Sequence, residues 1–319
     1  MDLSGPYFTA YTAFNKNGDI NYYSVEKYIS FLLANGANKI YLMPYNGRYS
    51  QLSFHEIASL NRFVIEKTKE INSDALVIVS DPIHCSTDES IKFANEAREI
   101  GADIFSSICR EKFYSTKQIY LHYQALEEAN ISVIAHLMPL LSADDGSTVP
   151  WPIDLVDEIS QLSHIVAMKE DTKDINYGKI LLKRDLDCKL IFAGRKSYFL
   201  NFIDIGIDGY LNGISMINPS FSFYFWKLYQ EKNINYLNDF VKIVDNPFWD
   251  ILVKKFGWHR VNKASLEYFN LMERNERLPM ISLDNEEYDF LSNFWDNHVK
   301  EINKCTKFVL YQQEVSQKD

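Results

Sequence analysis

Strand-like and helix-like segments alternate eight times along this chain, roughly every 25–30 residues, which is the rhythm of a strand–helix repeat around a parallel sheet. Pro6 to Phe14 is aromatic and β-branched enough for a first strand. Residues 15–19 form a turn in which asparagine and glycine tolerate positive φ. Ser24 then reads as the N-cap of a helix reaching Asn35, with Val25, Tyr28, Ile29, Leu32 and Leu33 at helical spacing and Gly36 as its stop. Strands follow over 39–43, 75–80, 103–108, 131–136, 165–169, 189–193 and 209–212. Helices follow from a capping box at Ser53 and Glu56, then over 88–100, 115–129, 152–162, 173–183, 198–205 and 219–230. Eight such units predict an α/β fold, a (β/α)8 TIM barrel, over residues 1–232 rather than an open doubly wound sheet. Beyond 232 no convincing strand remains. The stretches 233–256, 262–271 and 285–300 read as helices, so 233–319 is expected to be a C-terminal helical appendage on the barrel or on a neighbouring subunit, with a frayed tail from Gln312. Residues 142–152 are long for a barrel connection and read as a lid or a subunit contact.

With 319 residues, 46% of them hydrophobic, the chain has ample material for a large core. Its net charge of −10 argues against nucleic acid, whose phosphates need a basic face. A small anionic substrate is still allowed, because a few arginines can make a pocket locally positive. Cys85, Cys109, Cys188 and Cys305 are widely spaced and form no CxxC pair, so neither zinc nor any other metal or cofactor is expected. There is no basic-then-apolar leader and no apolar run of about 18 residues, which points to a cytoplasmic, reduced protein with no membrane partner. Gly-x-Gly-x-x-Gly, P-loop, HExxH and Gly-x-Ser-x-Gly patterns are absent from the sequence, so nucleotide binding, zinc proteolysis and serine hydrolysis have no support.

The run Ile165-Val166-Ala167-Met168-Lys169-Glu170-Asp171 is a buried strand that ends on a lysine. Strands of a parallel barrel are apolar on both faces, and their C-terminal ends open into the mouth where chemistry sits. Desolvation disfavours an ammonium, so Lys169 could present a free amine to a ketone. The same heptapeptide is also compatible with a solvated lysine paired to Glu170 or Asp171.

Several stretches, in order, resemble the dihydrodipicolinate synthase / N-acetylneuraminate lyase family of class I aldolases. They are Thr12-Ala13-Phe14-Asn15 through Ile20; Asn35-Gly36-Ala37; the Gly47 loop leading to Leu52-Ser53-x-x-Glu56; Ser86-Thr87 with Ala94, Ala97 and Gly101-Ala102-Asp103; Met168-Lys169-Glu170-Asp171; Ala193-Gly194 with Gly206 to Gly213; and Arg277-Leu278-Pro279-Met280. The resemblance implies that Lys169 forms an imine with the C2 ketone of pyruvate or another 2-oxo acid. It also implies a homodimer or homotetramer.

This chain departs from the family at the residues that would hold and protonate the substrate. The family's hydroxyl-rich loop after the second strand, which holds the carboxylate, is here Pro44-Tyr45-Asn46-Gly47-Arg48-Tyr49. Tyr45, Asn46 and Arg48 are candidates for that task, with a surface arginine as the plain alternative for Arg48. His136 stands in place of the family's proton-relaying tyrosine, as a proton-transfer residue or as a histidine buried under the next loop. Leu140-Leu141-Ser142 replace the arginine that follows the next proline, which argues against dihydrodipicolinate synthase chemistry itself. Other candidates at strand ends are His84, Arg110 (or an ion pair of it with Glu111), Gly194, Arg195 and Asn212. Three arginines around one lysine would suit an anionic substrate with several hydroxyls, such as a sugar acid. Phe256 to Lys263 reads as packing. The expected function is therefore an imine-forming lyase, aldolase or dehydratase, on a 2-oxo acid. The alternative is a barrel that has lost catalysis and binds or regulates instead.

Overall fold

The computed structural model describes residues 1–109, 114–141 and 147–305. Arg110, Glu111, residues 142–146 of the long loop and the tail from 306 lie outside the described residues.

Eight parallel strands close into a barrel: β1 (Gly5–Thr9), β2 (Lys39–Tyr41), β3 (Leu76–Ser80), β4 (Ile104–Ser107), β5 (Ser132–Leu137), β8 (Ile165–Glu170), β9 (Lys189–Phe192) and β10 (Gly209–Leu211). Their order around the barrel is β1-β10-β9-β8-β5-β4-β3-β2, and β1 pairs with β2 to close it. The short strands β6 (Leu140–Leu141) and β7 (Thr148–Val149) pair antiparallel outside the barrel, where the long loop begins and ends. At the β1–β10 seam Gly5 faces Gly209, and a Cβ on Gly209 would lie 2.8 Å from the Gly5 carbonyl oxygen.

Helices α1 (Tyr22–Ala34), α2 (Phe54–Ile71), α3 (Thr87–Ile100), α4 (Thr116–Ala125), α5 (Ile153–Ser160), α6 (Ile175–Leu181), α7 (Lys196–Phe199) and α8 (Ser220–Gln230) alternate with the barrel strands. The capping box at Ser53 and Glu56 is formed, and Gly101 ends α3 in the left-handed conformation. Two expectations shift. The first strand stops at Thr9 rather than Phe14. The N-cap of α1 is Asn21, not Ser24: the Asn21 side chain accepts the Ser24 N–H, and the Ser24 hydroxyl donates to Glu273 instead, 2.7 Å away.

Alternation along the strands produces two cores. Tyr7, Tyr41, Ile78, Ile104, Ile134, Ala167 and Ile191 pack inside the barrel, whereas Phe8, Val77, Phe105, Val133, Met168 and Phe192 face the helices.

The region beyond the barrel is helical: α9 (Ile234–Phe240), two π-helical stretches (Val241–Asp245 and Phe248–Val253) on either side of Pro247, α10 (Lys254–Phe256), α11 (Trp258–Tyr268) and α12 (Asn285–Cys305). Pro247 has no N–H to donate, so a widened hydrogen-bond ladder there has a local cause. Arg277 of the Arg-Leu-Pro stretch donates to Glu56 on α2 and to the Gly18 and Gln51 carbonyls. Those contacts hold the Glu56 carboxyl down at about 2, with the Arg277 hydrogen bond the largest cause. The motif is thus a clamp between the C-terminal region and the first two βα units. Among the described residues no helix is long and apolar enough to cross a membrane.

The loop after β2 is as tightly built as the barrel. Gly47 accepts the Thr12 hydroxyl on its carbonyl at 2.5 Å, and a Cβ there would lie 2.8 Å from the Tyr49 ring and 2.9 Å from the Met43 carbonyl. Gly47→Ala is therefore expected to lower stability by about 1–3 kcal/mol, as overpacking does. A urea midpoint unchanged from that of the parent would show that the loop yields freely.

Candidate active site

Lys169 points into the barrel from the C-terminal end of β8. It reaches that position through a bulge. Val133 pairs with Ile165, but Ile134 pairs with Ala167, so Val166 is passed over. Val166 and Ala167 both pack on the inner cluster as a result. From that point His136 of β5 sits in register with Lys169 of β8, and both side chains are fully buried.

Three side chains meet here. Lys169 Nζ lies 2.6 Å from His136 Nε2 and 2.5 Å from Asp171 Oδ2, and His136 Nε2 is 2.9 Å from the same oxygen. The other Asp171 oxygen accepts from Lys173 Nζ. Glu170 turns away: it accepts from the Thr172 hydroxyl and, at 3.2 Å, from the Tyr198 hydroxyl. Lys169 is thus paired with Asp171, but inside the protein and not as a solvated ion pair.

Burial is the largest influence on Lys169 and lowers its pKa, against the Asp171 charge that raises it. His136 is pulled down to about 4, first by burial and then by the Lys169 charge, with Asp171 opposing. Burial alone would raise the Asp171 carboxyl. Lys169, the His136 hydrogen bond and Lys173 together outweigh it and hold the carboxyl well below the usual carboxylate range. At neutral pH Asp171 is a carboxylate and His136 a neutral imidazole. His136 Nε2 lies within hydrogen-bond distance of both Lys169 Nζ and Asp171 Oδ2, and among the described residues its Nδ1 has no hydrogen-bond partner.

Asp171 lines a cavity of about 360 Å³ at the mouth of the barrel. Of the residues expected around the lysine, Tyr45, Asn46, Gly194 and Asn212 also line it. The Tyr45 ring stands edge-on to the His136 ring, with centroids 6.4 Å apart. Asn212 Oδ1 accepts from the Thr9 N–H and hydroxyl at 3.3 and 3.2 Å, and its buried Nδ2 has no partner among the described residues.

Of the three arginines expected here, Arg110 lies outside the described residues, and neither Arg48 nor Arg195 lines the cavity. Arg48 is buried and makes a fork to Glu276, with Nη2 to Oε1 at 2.6 Å, while its remaining donors go to the Tyr45 and His259 carbonyls and to His259 Nδ1. His259 is held down to about 3 by burial and then by the Arg48 charge, so its neutral ring can accept that bond. Arg48 braces the Tyr45 loop and does not line the cavity. Arg195 donates to Asp250 at 2.9 Å and to Asn246 at 2.8 Å, and it too is outside the lining. His84 is exposed at a separate depression with Asp81, Cys85 and His122.

Sequence reasoning gave Asp171 no role beyond that of an ordinary ion-pair partner, and Lys173, Trp249, Trp258 and His259 none at the site. Asp171 carries a signal in hindsight, two positions after the lysine. The two tryptophans carry none, because they arrive from the C-terminal helical region.

The comparisons with known proteins agree with this architecture. An uncharacterized DapA-like lyase of Pyrococcus furiosus is 25% identical over 229 residues, covering 70% of this chain and 72% of that protein. A 4-hydroxy-tetrahydrodipicolinate synthase of Hydrogenobaculum sp. is 24% identical over 296 residues, covering 89% and 96%. The crystal structure of dihydrodipicolinate synthase from Bacillus clausii superposes with a TM-score of 0.80 at 17% identity, over 93% of this chain and 98% of that one. The model of the dihydrodipicolinate synthetase family matches residues 3–297. With an eight-stranded parallel barrel and a buried lysine at the end of its sixth barrel strand, the chain belongs to the dihydrodipicolinate synthetase family, a family of lyases.

Proposed function

We propose that this chain is a class I lyase that binds a 2-oxo acid as an imine on Lys169. The observation that carries the reading is the fully buried lysine whose Nζ touches both His136 Nε2 and Asp171 Oδ2, directly behind Asp171, the one of the three that lines the cavity. Lys169 must shed any ammonium proton before it can attack. His136 Nε2 is in place to take it. Once Lys169 is neutral, its charge no longer opposes protonation of the imidazole, and the Asp171 carboxylate supports the imidazolium. The amine then adds to the C2 carbonyl. His136 returns the proton to the carbinolamine oxygen, water leaves, and a protonated imine remains. That cation accepts the electron pair released at the adjacent carbon. The bond broken is carbon–carbon in an aldolase and carbon–oxygen in a dehydratase, and the same iminium serves both. Asn212 Nδ2 and Asn46 are the amides proposed to face the carboxylate, with Tyr45 and the Gly194 backbone beside it.

Borohydride reduction in the presence of pyruvate, followed by intact mass and peptide mapping, tests the reading. A stable adduct on Lys169 is expected. If no 2-oxo acid yields an adduct, the chain is a binding protein on a lyase fold.

Asp171→Asn separates the roles within the cluster. Because the Asp171 charge raises the Lys169 pKa, its removal lowers that pKa further. The pH at which trapping becomes fast is expected to move to lower values. Turnover is nevertheless expected to fall about 10²–10⁴-fold, the usual contribution of positioned proton transfer, because the imidazolium loses its counter-ion. A limb that moves to higher pH would contradict the assignment.

A further inference from the structure

The walls of the cavity say which 2-oxo acid fits, given the imine reading above. Met43, Met138, Ala193, Leu211, Trp249 and Trp258 all line it. The rings of Trp249 and Trp258 stack on each other, with centroids 4.8 Å apart and planes 10° from parallel. Trp258 Nε1 points to Asn46 Oδ1 at 3.4 Å, and the Arg195 guanidinium lies 5.8 Å from the Trp249 ring. The pair therefore forms a braced aromatic block at the cavity, each ring covering a face of the other.

The polar groups of the lining are largely engaged with one another or with residues behind them. Thr9 binds Asn212; Asn46 Nδ2 faces the Tyr11 hydroxyl at 3.4 Å; His259 holds Arg48; Asp171 holds Lys169, His136 and Lys173. A chain of hydroxyls buried here would lose its water and find few partners, and each unpaired group costs about 1–3 kcal/mol. An aromatic group would instead gain burial against the methionine, leucine and tryptophan side chains, with aromatic contacts that favour it beyond area alone. Size agrees: an apolar cavity of about 150 Å³ accommodates benzene, so about 360 Å³ has room for a pyruvyl unit and a ring.

We infer that the substrate is a 2-oxo acid whose part beyond the keto group is apolar and aromatic-sized, seated on Trp258 and Trp249, and not a polyhydroxylated sugar acid. This replaces the sugar-acid expectation, two of whose three arginines, Arg48 and Arg195, are bound to Glu276 and Asp250, the third, Arg110, lying outside the described residues.

The test is calorimetric titration of the full chain with 4-phenyl-2-oxobutanoate and with 2-keto-3-deoxygluconate, each also treated with borohydride. The phenyl acid is expected to bind at least about 10-fold more tightly, equivalent to about 1.4 kcal/mol. Trp258→Ala, with Trp249→Leu as the second variant, is expected to erase that preference. Equal or tighter binding of the polyhydroxylated acid to the parent chain overturns the inference, whatever the borohydride result. The imine reading fails separately, through binding of either acid without an adduct on Lys169.

Discussion

Lys169→Arg should yield a folded chain that forms no borohydride adduct with any 2-oxo acid and whose turnover is at least about 10³-fold slower. Arginine retains a cation beside Asp171, so the buried carboxylate keeps a partner and the charge balance of the cluster is preserved. What is lost is the nucleophile. A guanidinium stays protonated at any pH the fold tolerates and offers no free amine to a carbonyl. The size of the effect follows from what removing a covalent nucleophile does elsewhere, about 10⁶-fold in a serine protease, where the rest of the site still binds and orients substrate. Lys173 provides an internal control. It lines the cavity beside Asp171, is half-exposed, and also pairs with Asp171. If the adduct persists in Lys169→Arg and maps to Lys173, the wrong lysine has been assigned.

The second large effect concerns stability. Arg48 and Glu276 form a buried pair, with side chains 1% and 0% exposed, and they join the β2 loop to the C-terminal region. Glu276→Gln leaves the guanidinium without its counter-charge in a place that water does not reach. Removing one partner of a buried pair costs about 3–5 kcal/mol, because the other charge is then uncompensated. Thermal unfolding is the check, with a loss of roughly 6–10 °C expected if each kcal/mol is worth about 2 °C in a chain of this size. The pair itself need not be strongly stabilising, so the double replacement Arg48→Met with Glu276→Leu should recover much of the loss. Because Arg48 also donates to the Tyr45 carbonyl, the single variant should weaken 2-oxo acid binding as well. A Glu276→Gln chain as stable as its parent would mean that Arg48 finds water or another carboxylate.

The sequence was most legible where the physics is local. The capping box at Ser53 and Glu56 and the glycine stop after Ile100 act over a few residues and appear where expected, whereas the end of the first strand and the cap of the first helix shift by a few residues. Lys169 was legible for the same reason, since an apolar run leading straight into a lysine puts that lysine at the end of a buried strand. The arginines show the limit. Arg48 looked free for a carboxylate because its partner stands 228 residues further along the chain. The Trp249–Trp258 wall was invisible because nothing in a helical stretch says which cavity it will cover.

By itself, then, the sequence determined the number and kind of elements, and through them the barrel with a lysine at one strand end. The tertiary structure alone decided what that lysine meets. Register belongs to a pair of strands and not to either one. Only the bulge that passes over Val166 brings His136 level with Lys169, and only closure of the barrel under the C-terminal helices gives the cavity lined by their partner Asp171 its apolar walls.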